Sequence, residues 1–169
     1  TSIEVGWNNP GIIYVATYDG YWSTKNVWRS EDSGISFVNI TPTFPGIVDD
    51  AWIPFDITIN DDDAYNVFIS RCPNSLSYAS YEGSKVYEST NGGDSWNNIT
   101  GSGLISENIT NIEYHRGSNG GIYLGTRKNV FYKNNSMTEW IPFNNGLPLS
   151  TYSTQLVPYY KEGKLKNGT

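Results

Sequence analysis

Cysteine is almost absent from this sequence, since Cys72 is the only one among 169 residues. A disulfide framework within the chain and a site assembled from several cysteines are therefore excluded. Histidine is equally scarce, so a catalytic triad or a histidine-based metal site would have to be built around His115 alone. His115 follows a predicted strand and has no evident partner in the sequence. We therefore predict that it is a surface residue, and we expect neither a metal nor a cofactor.

Charged residues make up only 17% of the chain, and acidic residues outnumber basic ones by 17 to 11. The net charge of −6 and the lack of any basic run argue against nucleic acid or an anionic membrane surface as a partner. No apolar run is long enough to cross a membrane, so membrane insertion is not expected. A targeting segment upstream of Thr1 is left open.

Residues 86–100 contain the strongest local pattern in the chain, two strand-like segments around a polar corner. Asn91 can hydrogen-bond to its own backbone, while Gly92 and Gly93 allow positive φ angles without a Cβ clash. Trp96 opens the return strand, and its ring can pack under the turn while its N–H reaches a loop carbonyl. The segment therefore predicts a β-hairpin.

This corner is repeated. The second copy lies 59 residues after the first, and a degenerate third copy, in which Trp140 keeps the aromatic ring, lies 44 residues further on. The frame positions of the first two copies are Ser30, Asp32, Gly34, Ser36 and Phe37, followed by Ser89, Asn91, Gly93, Ser95 and Trp96.

The pattern Ser-x-Asp-x-Gly-x-Ser/Thr-aromatic at a hairpin corner resembles the Asp box, or bacterial neuraminidase repeat. Proteins with this repeat are β-propellers, among them sialidases, xyloglucanases, sortilin-type receptors and secreted bacterial surface proteins. The resemblance implies an all-β propeller at an extracellular or cell-surface location. In that family the box is a structural corner away from the active site, so the resemblance implies no catalytic role for its residues.

The strand pattern predicts about three and a half four-stranded antiparallel blades. Closed propellers have roughly four to eight blades, so we expect a fragment whose open ends are covered by the remainder of its own propeller or by other copies. The predicted units are 1–41, 55–100, 110–143 and a partial unit 154–169. The apolar residues predicted on innermost strands are Ile3, Val5, Ile57, Ile59, Ile112 and Leu156.

Long aromatic loops are predicted on the face opposite the corners, where rings beside carboxylates suit sugar binding. An equally weighted alternative is that these side chains only pack their own loops. The candidate ligand-binding residues are Asp19, Tyr21, Trp22, Trp52, Tyr78 and Tyr81, and the weaker catalytic candidates are Asp49, Asp50 and Glu82. The run Asp61–Asp63 lacks the spacing of a calcium loop and is interpreted as a solvated turn.

Three functions fit these features. The favoured one is a non-catalytic binding or scaffold module for a glycan or another extracellular protein, and the phrase at 140–148 resembles a blade ending common in secreted bacterial proteins. A xyloglucanase-like hydrolase would need two carboxylates roughly 5 to 10 Å apart. A sialidase is disfavoured because the arginines are scattered and the Arg-Ile-Pro motif is missing. A sortilin-like protein-interaction propeller is a further alternative, although the single cysteine counts against it.

Overall fold

The computed structural model describes residues 2–18, 25–42, 55–71, 85–104, 107–148, 153 and 155–157. These residues form three four-stranded antiparallel sheets and one short 3₁₀ turn, Ser102–Leu104. The predicted all-β fold class is thereby confirmed. None of the described segments contains a helix long and apolar enough to span a membrane.

Each sheet is a meander in which consecutive strands pair, so neighbours in sequence are neighbours in space. Sheet 1 consists of β1 Ser2–Val5, β2 Ile13–Tyr18, β3 Lys25–Ser30 and β4 Val38–Asn39. Sheet 2 consists of β5 Phe55–Asn60, β6 Asp63–Arg71, β7 Lys85–Ser89 and β8 Asn97–Asn98. Sheet 3 consists of β9 Ile109–His115, β10 Gly121–Thr126, β11 Val130–Lys133 and β12 Ile141–Pro142.

The strand register shows that the three sheets are structurally equivalent. An aromatic residue in the third strand lies opposite an aliphatic residue in the second strand each time: Trp28 opposite Val15, Tyr87 opposite Ile69 and Phe131 opposite Leu124. Following the same register to the first strands makes Ile3, Ile57 and Ile112 equivalent. The next positions, Glu4, Thr58 and Glu113, are therefore equivalent as well. Side chains at these positions all point to the corresponding face of their sheets.

Two hydrophobic clusters hold the sheets together, and one lies on each face of sheet 2. Ile57 and Ile69 on one face belong to the cluster that contains Tyr14 of sheet 1. On the other face, Phe68 stacks with Tyr114 of sheet 3 at a centroid distance of 6.2 Å. Full burial of side chains of this size contributes about 1.5–3 kcal/mol each, so these contacts dominate the stability of the array.

The first strands carry the predicted apolar residues, but their burial differs between sheets. Ile57 and Ile112 are buried, whereas the equivalent Ile3 is 62% exposed, because no described residue covers that face of sheet 1. Val5 on the same strand is also exposed. Leu156 is half-buried and does not belong to a strand, and most of the predicted unit 154–169 lies outside the described residues.

Candidate functional site

The residues predicted to form a ligand site on the long loops all lie outside the described part of the chain. Their grouping on one face therefore stays a prediction. They are Asp19, Tyr21, Trp22, Asp49, Asp50, Trp52, Tyr78, Tyr81 and Glu82.

The first corner, residues 30–37, closes on its own side chains. Ser30 Oγ donates to Asp32 Oδ1 at 2.8 Å, and the Asp32 carboxylate accepts from the backbone N–H of Ser36 at 2.8 Å and from its Oγ at 2.6 Å. The bonds from Ser36, followed by that from Ser30, lower the pKa of Asp32 to about 2. Gly34 has a φ of 87° and donates its N–H to Ser30 Oγ at 2.9 Å.

The second corner, residues 89–96, repeats this geometry with an amide in place of the carboxylate. Asn91 Oδ1 accepts from Ser89 Oγ at 2.8 Å and from the N–H of Ser95 at 2.9 Å, while Asn91 Nδ2 donates to Ser95 Oγ at 2.9 Å. Gly93 has a φ of 98° and donates to Ser89 Oγ at 2.7 Å. In both corners the serine, aspartate and asparagine side chains form hydrogen bonds within the turn itself.

Arg29 ties sheet 1 to the second corner. Its Nη1 donates to the Gly92 carbonyl at 2.6 Å and lies 3.0 Å from Asp94 Oδ1, and its Nε lies 3.0 Å from Glu31. One planar guanidinium can serve several acceptors at once, which makes arginine suited to this link. The second corner is thus fastened to the sheet that precedes it.

Two tryptophan N–H groups make the same kind of link further out on the sheets. Trp96 Nε1 donates to the Ile40 carbonyl of sheet 1 at 2.9 Å, and Trp140 Nε1 donates to the Ile99 carbonyl of sheet 2 at 2.8 Å. Phe37 holds the equivalent place in the first corner and is 42% exposed. Trp96 and Trp140, whose corners follow a described sheet, therefore each pack against that preceding sheet.

Carboxyl groups gather where the first strands β1, β5 and β9 lie side by side. Asp56 accepts a hydrogen bond from the backbone N–H of Ile112 at 3.0 Å and so links β5 to β9. Among the described residues, no group of three or more Asp, Glu, His and Cys is arranged to hold a metal ion. This carboxylate cluster consists of Glu4, Asp56, Asp61 and Glu113.

Burial and mutual repulsion raise the pKa values of the two glutamates of this cluster. Burial, and after it the charges of Glu113, Asp56 and Asp61, raise the pKa of Glu4 to about 7. The pKa of Glu113 also rises to about 7, mainly through burial and then through Asp56 and Asp61. Near neutral pH these two carboxyl groups therefore act both as hydrogen-bond donors and as acceptors.

The turns that follow the first strands converge beside the cluster and form what we call the turn site, Trp7, Asp61 and Arg116. The Arg116 Cζ atom lies 3.9 Å from the Trp7 ring centroid, and Arg116 Nε lies 3.8 Å from Asp61 Oδ2. Trp7 remains 65% exposed, so the guanidinium covers only part of the indole. Asn8 Nδ2 donates to the Asp62 carbonyl at 2.7 Å and joins the first two of these turns.

Two sequence-based expectations need correction here. The run Asp61–Asp63 is a turn, but only part of it is solvated, because Asp61 is half-buried in the carboxylate cluster while Asp62 and Asp63 are exposed. His115 is not a free surface residue either, since it is half-buried and its ring lies 5.8 Å from that of Tyr123. Asp61 is met by Arg116 of the neighbouring sheet, whereas the ring contact of His115 comes from the adjacent strand of its own sheet.

Sequence reasoning did not select the residues of the turn site or the two glutamates of the cluster. One usable signal was present, since the segment beginning at Thr110 repeats the segment at Thr1 and places Glu113 in register with Glu4. A carboxylate at the same position of two first strands indicates that the two side chains lie in similar environments. The convergence of Trp7 and Arg116 has no comparable signal, because it depends on how separate sheets are placed.

The raised pKa values predict how stability depends on pH. The folded chain keeps protons on Glu4 and Glu113 that an unfolded chain releases near pH 4.5, so the free energy of unfolding should fall as the pH rises from about 4.5 to about 7. Glutamine cannot titrate, so either Glu4→Gln or Glu113→Gln should make this pH-dependent decrease in the free energy of unfolding smaller by about 1 kcal/mol, after allowance for solvent screening. The Tm at pH 8 should then rise by about 2–4 °C.

Thermal unfolding followed by circular dichroism at pH 5 and pH 8 tests this expectation. Glu139→Gln is the matched control, because Glu139 is exposed on sheet 3 and should leave the slope unchanged. Wild-type stability that increases between pH 5 and pH 8 would contradict the expectation. The bonds to Asp32 do not interfere, since its lowered pKa affects stability only in acid below about pH 4.

No protein-family model matches the chain, and no curated protein sequence matches it either. Solved structures resemble it in fold. YCF48 bound to a D1 peptide superposes with a TM-score of 0.56 at 13% identity, over 83% of this chain and 39% of that one. The GH74 enzyme of Niastella koreensis superposes with a TM-score of 0.57 at 14% identity, over 83% of this chain and 20% of that one.

The GH74 xyloglucanase of Xanthomonas campestris gives a TM-score of 0.57 at 14% identity, over 83% of this chain and 21% of its own length. These similar structures are β-propeller proteins, and the likeness concerns the fold alone. The three sheets therefore have the architecture of a β-propeller segment. The chain spans about two fifths of YCF48 and about one fifth of the GH74 enzymes.

Proposed function

We propose that this chain is the binding or scaffold portion of a secreted or cell-surface Asp-box propeller protein, that it is not catalytic, and that it binds carbohydrate. One observation carries the proposal: an indole that is 65% exposed is partly covered by the Arg116 guanidinium, and that guanidinium also lies 3.8 Å from Asp61 of the carboxylate cluster. An aromatic ring in that setting offers an apolar platform with polar groups at its rim.

The chemistry of the neighbouring groups suits a polyhydroxylated ligand. A sugar ring has an apolar face, which can pack on Trp7, and hydroxyl groups, each of which both donates and accepts hydrogen bonds. Glu4 and Glu113, with pKa values of about 7, can complement such hydroxyls in either sense. Arg116 and Asp61 add a fixed donor and a fixed acceptor at the same place.

Affinity gel electrophoresis against plant, microbial and host polysaccharides tests the proposal. Trp7→Ala should reduce retention by a bound polysaccharide about tenfold or more, because loss of an exposed stacking surface removes binding energy of about 1–2 kcal/mol. Thermal stability should change little. Val38→Ala is the control, since it also removes an exposed apolar side chain, on the outer strand of sheet 1.

The long-loop face remains a second proposed location for the same activity. Trp22→Ala and Tyr81→Ala in the same gels separate the two locations. Retention lost only in these variants would move the carbohydrate site from the turn site to the loops. If the unaltered chain is retained by no polysaccharide in the panel, the carbohydrate proposal is wrong at both places.

Peptide binding is a second candidate, because the turn site and the carboxylate cluster together have four carboxyl groups and one arginine and would attract a basic segment. The resemblance to YCF48, whose structure contains a D1 peptide, is consistent with it in fold alone. Fluorescence anisotropy with labelled lysine-rich and glutamate-rich peptides distinguishes the two candidates. Binding of the basic peptide that is lost in Trp7→Ala would favour the peptide function.

A xyloglucanase-like activity is the remaining alternative, and we expect none from this chain. Reducing-sugar release from xyloglucan measures it directly. Release that disappears on neutralising Asp49, Asp50 or Glu82 would assign catalysis to the long loops. Release that disappears in Glu4→Gln or Glu113→Gln would assign it to the carboxylate cluster instead.

A further inference from the structure

The sequence contains Asn-Gly steps at 91–92, 119–120, 145–146 and 167–168, and the last of these lies outside the described residues. An Asn-Gly step is chemically reactive, because glycine has no side chain to shield its backbone nitrogen from the asparagine carboxamide. The nitrogen reaches the carboxamide only if the two residues are free to move. The three described steps differ in how firmly they are held.

Asn91 and Gly92 are held firmly by the second corner. Asn91 Oδ1 accepts hydrogen bonds from Ser89 and Ser95, and Asn91 Nδ2 donates to Ser95 Oγ at 2.9 Å. Gly92 is buried, and its N–H donates to the Tyr65 carbonyl at 2.8 Å. The attacking nitrogen and the carboxamide are both engaged, so a reaction between them requires the corner to open locally.

Asn119 and Gly120 lie in the turn between β9 and β10 and are held less firmly. The backbone carbonyl of Asn119 accepts the N–H of Asn135 at 3.1 Å. Its side chain is exposed, and Nδ2 donates to Ser136 Oγ at 3.2 Å. That bond must break before the carboxamide can turn toward the Gly120 nitrogen.

Asn145 and Gly146 form the tip of an exposed turn that follows β12. One hydrogen bond closes this turn, from the Leu147 N–H to the Asn144 carbonyl at 2.9 Å. Gly146 has a φ of 84°, and a Cβ atom added to it would meet nothing within 4 Å. Within the described part of the chain, neither the Asn145 carboxamide nor the Gly146 nitrogen forms a hydrogen bond. Both reacting groups are therefore free to move.

The place of this turn in the repeat explains its exposure. A valine N–H near the start of the third strand donates to Asn144 Oδ1 at 2.8 Å in sheet 3 and to Thr100 Oγ1 at 2.9 Å in sheet 2. Asn145 therefore corresponds to Gly101, the residue after Thr100. Gly101 is exposed although sheet 3 follows it. The position is thus open to solvent even where a further sheet packs against the preceding one.

We propose that Asn145 is a site of spontaneous deamidation, modified faster than Asn119 and much faster than Asn91. The Gly146 nitrogen attacks Asn145 Cγ and gives up its proton to water. As the new N–Cγ bond forms, the Cγ–Nδ2 bond breaks, and the Nδ2 group takes up a proton and leaves as ammonia. Water then opens the succinimide ring at either carbonyl, which leaves aspartate or isoaspartate.

Both products add a negative charge to the connection that follows sheet 3. Aspartate keeps the course of the backbone, whereas isoaspartate adds a methylene group to it and prevents the bond from Leu147 to Asn144 from closing the turn. Neither hydrophobic cluster includes Asn145 or Gly146. The modified chain should therefore stay folded, with an unchanged circular dichroism spectrum.

Timed incubation of the full 169-residue chain at mildly alkaline pH tests the proposal. Cleavage after lysine and arginine places the three steps in separate peptides, 86–116, 117–127 and 134–161. Mass spectrometry measures the conversion of amide to acid in each peptide, and fragmentation assigns it to a residue. We expect Asn145 to react at about the rate of an unfolded chain and Asn91 at least about tenfold more slowly, because several hydrogen bonds must break first.

The same incubation in concentrated urea separates the effect of structure from that of sequence. The three steps should react at similar rates there, because no turn is then formed. Asn145→Gln is the matched variant, since glutamine has the same amide but must close a larger ring, which is much slower. It should remove the product from peptide 134–161 and leave the other two peptides unchanged.

Three results would overturn the proposal. The first is a folded chain in which Asn91 or Asn119 reacts as fast as Asn145. The second is a rate at Asn145 that is far lower in the folded chain than in urea. The third is an order of rates that persists unchanged in urea, because the order would then come from neighbouring residues and not from the fold.

Discussion

Trp140→Ala is expected to lower the free energy of unfolding by about 3–5 kcal/mol, the usual cost of truncating a buried aromatic side chain. Trp140 is 4% exposed and belongs to the cluster that joins sheets 2 and 3. Its truncation leaves a cavity in that cluster and removes the bond from Nε1 to the Ile99 carbonyl. Urea unfolding followed by circular dichroism measures the change, and a loss below about 1 kcal/mol would show that the ring is not structural.

Two further variants separate the contributions of ring and hydrogen bond. Trp140→Phe keeps an aromatic ring and removes the N–H, so the hydrogen bond itself accounts for about 0.5–1.5 kcal/mol of the loss. Trp96→Ala removes the equivalent ring at the junction of sheets 1 and 2. Because Trp96 is only half-buried, its cost should lie near the lower limit, about 3 kcal/mol.

Gly93→Ala is expected to destabilise the chain by about 2–5 kcal/mol, for two reasons that add. Gly93 has a φ of 98°, a conformation that costs an alanine about 1–2 kcal/mol. A Cβ atom there would also lie 2.5 Å from Ile40 Cδ1, and this overpacking of the first cluster costs about 1–3 kcal/mol.

Gly34→Ala is the matched control for this prediction. Gly34 holds the same place in the first corner and has a φ of 87°, but its nearest contact to an added Cβ is Ile13 Cδ1 at an ordinary 3.6 Å. Gly34→Ala should therefore lower the free energy of unfolding only by the cost of placing an alanine at a positive φ, about 1–2 kcal/mol. Equal losses in the two variants would mean that Gly93 does not lie against Ile40.

The corners and hairpins could be predicted from sequence because their causes are local. Ser30, Asp32 and Gly34 lie within five residues, and the turn they form is closed by their own hydrogen bonds. The alternation of strand residues also predicted the three meanders. It could not show which face of a strand would be covered, so Ile3 and Ile57 look alike in sequence and differ in exposure.

The turn site could not be predicted for the opposite reason. Trp7 and Arg116 are more than a hundred positions apart, and their contact depends on the placement of three separate sheets. The pKa of Glu4 depends in the same way on Glu113 and Asp56, which reach it from other strands. Pairing rules apply within a sheet, and nothing in the composition of the turns determines how sheets stack.

The indole bonds between sheets always run backwards along the chain, from Trp96 to Ile40 and from Trp140 to Ile99. In each pair the acceptor is therefore synthesised before the donor. As the polypeptide leaves the ribosome, Trp96 and Trp140 therefore each meet a carbonyl whose sheet has already emerged. Repeats that contact only their neighbours can then form one after another from the N-terminus, which keeps the exposed apolar surface small during synthesis.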